Sequence, residues 1–198
     1  MKKLKLWEIA ALAALSLSLL LGTWAQGRQT ELSDRLIRLH IVAVSDAPEE
    51  QALKLRVRDA VLAYLSPRLA GLDDAGAARQ LLEEDLAGIA RAAREMAGGR
   101  TVRVSLERER FPLRQYEGFA LPAGEYESLR IVLGEGEGHN WWCVVFPPLC
   151  EQAVTPEKAR SVMGGDNFSL IAEEEGYELR FRLLELWGEL CGSLRSSR

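Results

Sequence analysis

Histidine and cysteine are scarce in this 198-residue chain, with two and three copies respectively. Neither His40 and His139 nor Cys143, Cys150 and Cys191 fall at paired-ligand spacing, which argues against a zinc site. Long runs of Lys and Arg are also missing, and the formal net charge is −4. A phosphate-binding stripe is therefore absent, and electrostatic DNA or RNA binding is excluded. There is no internal repeat and no low-complexity tract. Charge itself is absent from Ile9 to Gly27. What remains is ordinary globular composition, 47% apolar, enough for one packed core.

The charge-free stretch follows Lys2, Lys3 and Lys5, the order of a basic and then an apolar export region. As a helix it spans roughly 28 Å, nearly a bilayer's hydrocarbon core. Residues 1–27 are read as a signal peptide, cleaved after Ala25, or as an uncleaved membrane anchor. Residues 28–35 read as a polar tether, 36–150 as the main domain and 151–198 as an extension packing on it.

Leu36 to Val44 alternates as a strand, with Ile37, Leu39 and Ile41 on one face and Arg38 and His40 on the other. Asp46 and Glu49 frame a capping box around Pro48 at a helix start. The helix should run to about Leu65 on a Leu53, Val57, Val61 and Tyr64 stripe, with Lys54, Arg56 and Arg58 solvated. A second helix from Asp73 or Asp74 should bury Ala78, Leu82, Leu86, Ile89, Ala93 and Met96, ending at Gly98 and Gly99. Strands follow over Thr101–Arg110, Tyr126–Leu133 and Trp141–Phe146. The last is apolar on both faces and so reads as central. Thr155 to about Met163 reads as helix and Tyr177–Leu183 as strand. The expected fold is α/β (α+β): a two-layer sandwich, its mixed sheet of four to five strands carrying a helix pair on one face. An apolar export or anchor helix precedes it.

Gly134, Gly136 and Gly138 do not make a dinucleotide loop: the sixth position is His139, a strand follows, and Glu135 and Glu137 repel phosphate. A mobile hairpin loop is expected there. Cys143 and Cys150 either form a local disulfide, leaving Cys191 over, or are small buried apolar residues. A cysteine hydrolase built on His139 and Cys143 fails on distance, roughly 13 Å along an extended strand. His40 beside Cys143 lacks an orienting third residue. Trp141 and Trp142 should face opposite sides, one beneath the helices and one beside Arg38, His40 and Arg130. That second face is either open, as a binding surface, or covered by residues 151–198.

Two segments carry a family likeness. The first runs from Leu36 through Ala43, Ser45, Asp46 and Gln51–Leu55 to Val57–Val61. The second runs from Leu121–Tyr126 through Leu129, Arg130 and Gly134–Cys143 to Val144–Cys150. Together they resemble the stage II sporulation protein R family of endospore-forming bacteria, with Val44 standing where relatives are expected to carry Asn. The resemblance implies a non-enzymatic signal, made in the forespore and exported to the space between forespore and mother cell. Its implied partner is a membrane-bound aspartic protease of the mother cell, which processes the sigma-E precursor. No cofactor, metal, nucleic acid or small-molecule substrate is implied. Candidate partner-binding residues are Arg38, His40, Arg130, His139, Asn140, Trp141 and Trp142. The alternatives are an exported cysteine-dependent hydrolase and a membrane-anchored structural protein of the septum.

Overall fold

The computed structural model describes residues 5–116 and 119–149. The elements expected in 151–198, together with Cys150 and Cys191, lie outside the described residues. Along the chain the elements are α1 (Leu6–Ser33), β1 (Ile37–Val42), α2 (Pro48–Leu69), α3 (Ala75–Glu84) and α4 (Leu86–Met96). They continue as β2 (Val102–Phe111), β3 (Arg114–Tyr116), β4 (Phe119–Leu121), β5 (Gly124–Leu133) and β6 (Asn140–Phe146).

The chain divides into two compact units, α1 lying in the first through Leu32 and the sheet domain starting at Ser33. α1 has 28 residues, about 42 Å at 1.5 Å each. Its most apolar window has a mean hydropathy of 1.7 and is wholly unburied. By length and composition it is compatible with export or with membrane anchoring. The helix continues past Gly27 to Ser33, so most of the stretch read as a tether is helical.

The sheet has the strand order β2-β5-β1-β6. β1 runs parallel to β5 and antiparallel to β6, and β2 runs antiparallel to β5. Ile37, Leu39 and Ile41 of β1 and Leu129, Ile131 and Leu133 of β5 pack against the helices. From the helix layer come Val57, Val61 and Leu65 of α2, Leu82 of α3, and Ile89 and Ala93 of α4, all fully buried. The expected two-layer sandwich with a four-stranded mixed sheet is what forms.

Several local expectations are corrected. The second helix is two: α3 ends and α4 begins at Asp85, whose carboxylate accepts the Tyr64 hydroxyl at 2.7 Å. Met96 is 45% exposed and Ala97 is buried in its place. α2 runs beyond Leu65 and past Pro67, because Leu69 is buried as well. Lys54 and Arg58 are buried rather than solvated. The N-cap of α2 is Ala47, with no side-chain cap, because Asp46 is engaged elsewhere. Among the described residues β6 is an edge strand, not a central one. Cys143 to Phe146 are buried on both faces, which accounts for the doubly apolar pattern of that half of the strand without a second neighbour.

The glycine-rich segment is not a hairpin. β5 and β6 lie on opposite sides of β1, so residues 134–139 must cross over the end of β1. Gly134 and Gly136 adopt φ of +59° and +73°, a region that disfavours side chains. Gly138 lies flat on the chain beneath it: its N–H donates to Ala43 O at 3.0 Å, and a Cβ there would sit 2.3 Å from Ser45 O.

Candidate functional site: the sheet face opposite the helices

Alternation in β1 sends Arg38 and His40 to the face away from the helices. Register then assembles the rest. Arg130 of β5 and Trp142 of β6 flank His40, while Ser128 and Val144 flank Arg38. The β2–β5 ribbon overruns β1: the pairs Glu109–Tyr126, Arg110–Glu125 and Phe111–Gly124 lie beyond Glu127, the partner of Ile37. That overhanging end curls across the face. Phe111 meets Trp142 edge-on at 4.6 Å and His40 at 6.2 Å between ring centroids. The Arg38 guanidinium is held 4.3 Å over the Phe111 ring and 5.1 Å from Tyr126, whose hydroxyl donates to Pro122 O. Each such cation–ring contact is worth about 0.5–2 kcal/mol, more when desolvated.

His40 is the hub. Its ring stacks on Trp142 at 3.8 Å and 15°. Its Nδ1 lies 3.1 Å from both carboxylate oxygens of Glu109, and its Nε2 lies 2.9 Å from Asn140 Oδ1. Arg130 reaches Glu107 and Glu109 at 3.4 and 3.5 Å. Burial pushes the Glu109 carboxyl up. The hydrogen bond from His40, with the charges of His40 and Arg130, outweighs it and holds the pKa below the ordinary carboxylate value.

The candidate residues divide by exposure. Arg38 is 0% and His40 5% exposed, so this face is closed at both. Trp142 is half-buried, Arg130 is 39% exposed at its side chain, and His139 and Asn140 are exposed. Trp141 lies on the helix side, packed on the core with the Arg58 guanidinium 4.4 Å over its ring. The two tryptophans thus part as expected.

His139 belongs to a separate cluster at the crossing. Its backbone N–H donates to Asp46 Oδ1 at 2.6 Å, and its Nδ1 bonds the same oxygen. Its carbonyl accepts from Lys54 Nζ at 2.8 Å, and Gln51 takes a second Lys54 hydrogen at 2.7 Å. Desolvation lowers the Lys54 pKa, with Asp46 acting in the opposite direction. Cys143 pairs with Leu39 in register and shares the helix-side core, opposite His40. It is disulfide-bonded, so no His40–Cys143 dyad forms. Among the described residues no three His, Cys, Asp or Glu side chains gather as a metal-ligand set. Sequence reasoning missed Glu109, Phe111 and Tyr126. The alternating charge of Glu107-Arg108-Glu109-Arg110 is a strand signal, but its reach across the sheet depends on the curl.

Comparison with known proteins decides the family. The model for stage II sporulation protein R matches residues 33–155, more than half of the chain. The chain belongs to the stage II sporulation protein R family. The protein of that name from Bacillus subtilis (strain 168) is 35% identical over 130 residues, 64% of this chain. That alignment spans 58% of the relative's own length. No solved structure matches. A role in sporulation follows from membership of the family, and the matched region contains every residue of the face described above.

Proposed function

We propose that this protein is an exported signal of endospore formation that activates a membrane-bound aspartic protease of the mother cell, which processes the sigma-E precursor. The observation that carries the reading is family membership across residues 33–155. The apolar α1, compatible with export, supports it. The protein acts by docking rather than by catalysis. A ligand that prefers the active form of its receptor draws the population towards that form, and needs no chemistry of its own. Cys143, the nucleophile of the rival hydrolase reading, is held in a disulfide and turned away from His40. The contact residues are the exposed Arg130 and Asn140 with the half-buried Trp142, supported from behind by Arg38 and His40, and the exposed His139 of the neighbouring crossing.

The test is co-expression with the protease and the sigma-factor precursor, scoring precursor cleavage. Cleavage should depend on this protein and should fall at least tenfold when Arg130 and Asn140 are both replaced by alanine. Cleavage that proceeds equally without the protein would remove the proposal. Unchanged cleavage with the double variant would remove this face from it.

A further inference from the structure

His40 lies between a carboxylate that can only accept a hydrogen bond and an amide that can either accept or donate. Glu109 is ionised over the neutral range, so Nδ1 carries its hydrogen and donates it. Nε2 meets Asn140 Oδ1 at 2.9 Å, and an amide oxygen also only accepts. With Oδ1 turned toward Nε2, this contact is a hydrogen bond only when Nε2 also carries a proton, that is, for an imidazolium ring. Loss of the Nε2 proton leaves a lone pair facing an amide oxygen. Turning the Asn140 amide end for end replaces that oxygen with an NH2 donor and restores the hydrogen bond.

We infer that the protonation state of buried His40 sets which end of the exposed Asn140 amide is presented at the surface. The NH2 points outward above imidazolium, and the carbonyl points outward above neutral imidazole. A proton on the buried ring is thereby converted into an exposed donor, and its loss into an exposed acceptor.

Charged groups surround the ring on several sides among the described residues. Glu109 of β2 meets its Nδ1, with Glu107 further along the same strand. The Trp142 face of β6 lies parallel to the ring. Arg130 of β5 and Arg38 of β1 supply the positive charge on this face. Tyr126 and Phe111 wall the site with rings. His139, next to Asn140, is tied to Asp46. For the docking role proposed above, on which this consequence rests, the contact face would change its hydrogen-bonding sense with pH. The switch itself does not depend on a partner.

Side-chain NMR of the full chain in detergent micelles, taken from pH 5 to 8, tests it. The Asn140 NH2 resonances and the His40 ring resonances should move with one shared midpoint. His40→Gln should leave the Asn140 amide flat with pH, and His139→Gln should leave the coupling intact. Asn140→Asp offers only acceptor atoms to Nε2, and should raise the His40 midpoint by about one pH unit. An amide that stays still while His40 titrates overturns the inference. So does a coupling lost in His139→Gln, or an unmoved midpoint in Asn140→Asp. The Asn140→Asp arm decides the matter if His40→Gln does not fold. Precursor cleavage is a separate readout, so failure of the docking proposal and failure of the switch are told apart.

Discussion

Replacing Gly138 with alanine probes whether the crossing from β5 to β6 is a packed element. The new Cβ would lie 2.3 Å from Ser45 O and 2.5 Å from Ser45 C. Both are main-chain atoms and cannot swing aside, so the crossing must lift. Lifting forfeits the Gly138 N–H bond to Ala43 O and the His139 N–H bond to Asp46. Those two bonds are worth about 1 kcal/mol each, and forced overpacking adds about 1–3 kcal/mol. The expected loss is about 3–5 kcal/mol, a large share of a typical domain's stability. Gly99 is the control: it has φ of +83°, but a Cβ added there would meet nothing within 4 Å. Gly99→Ala should cost only the conformational penalty, about 1–2 kcal/mol. In urea unfolding followed by circular dichroism, a slope near 2 kcal/mol per molar is expected. Gly138→Ala should then lower the midpoint by about 1.5–2.5 M and Gly99→Ala by about 0.5–1 M. Equal midpoints, or a milder effect at Gly138, would refute the packed crossing and reinstate a mobile loop.

Other perturbations separate the remaining contacts. Because the Glu109 pKa is lowered on folding, its contribution is present above the ordinary carboxylate value of 4.5 and is lost as pH falls below it. Glu109→Gln should flatten that part of the acid stability profile in thermal melts, and an unchanged acid limb would show that the His40 contact contributes nothing. Asp46→Ala should cost about 1–2 kcal/mol by releasing the His139 N–H. Glu49→Gln should change stability by under about 0.5 kcal/mol, since no capping box forms. The opposite ranking in denaturant unfolding would return Asp46 and Glu49 to a cap.

Parts of the face are legible from residue pattern alone. Alternation along β1 places Arg38 and His40 opposite Leu39, and adjacency places Trp141 and Trp142 on opposite faces. The burial of Lys54 and Arg58 is not legible, because charge on a helix usually means solvent. Here Trp141 and the His139 carbonyl supply local partners that make their burial tolerable. The break at Asp85 is hidden because the apolar spacing of α3 and α4 stays nearly in phase across it, while the hydroxyl of Tyr64 that engages Asp85 comes from another helix.

Period-two and near-four-residue hydrophobic spacing, glycine at helix ends, and a basic-then-apolar leader are local properties. The sequence alone therefore determined the four strands of the main sheet, the buried faces of the helix layer, the apolar α1 and the family likeness, but not the β3–β4 pair. Strand order, the curl of the β2–β5 ribbon and the crossing over β1 belong to the tertiary structure. They depend on which distant segments share a hydrogen-bonded edge, and residue spacing within one segment carries no information about its neighbours. That is why His40 was visible from the start, whereas Glu109, far away in the chain, became its partner only once β5 was seated between their strands.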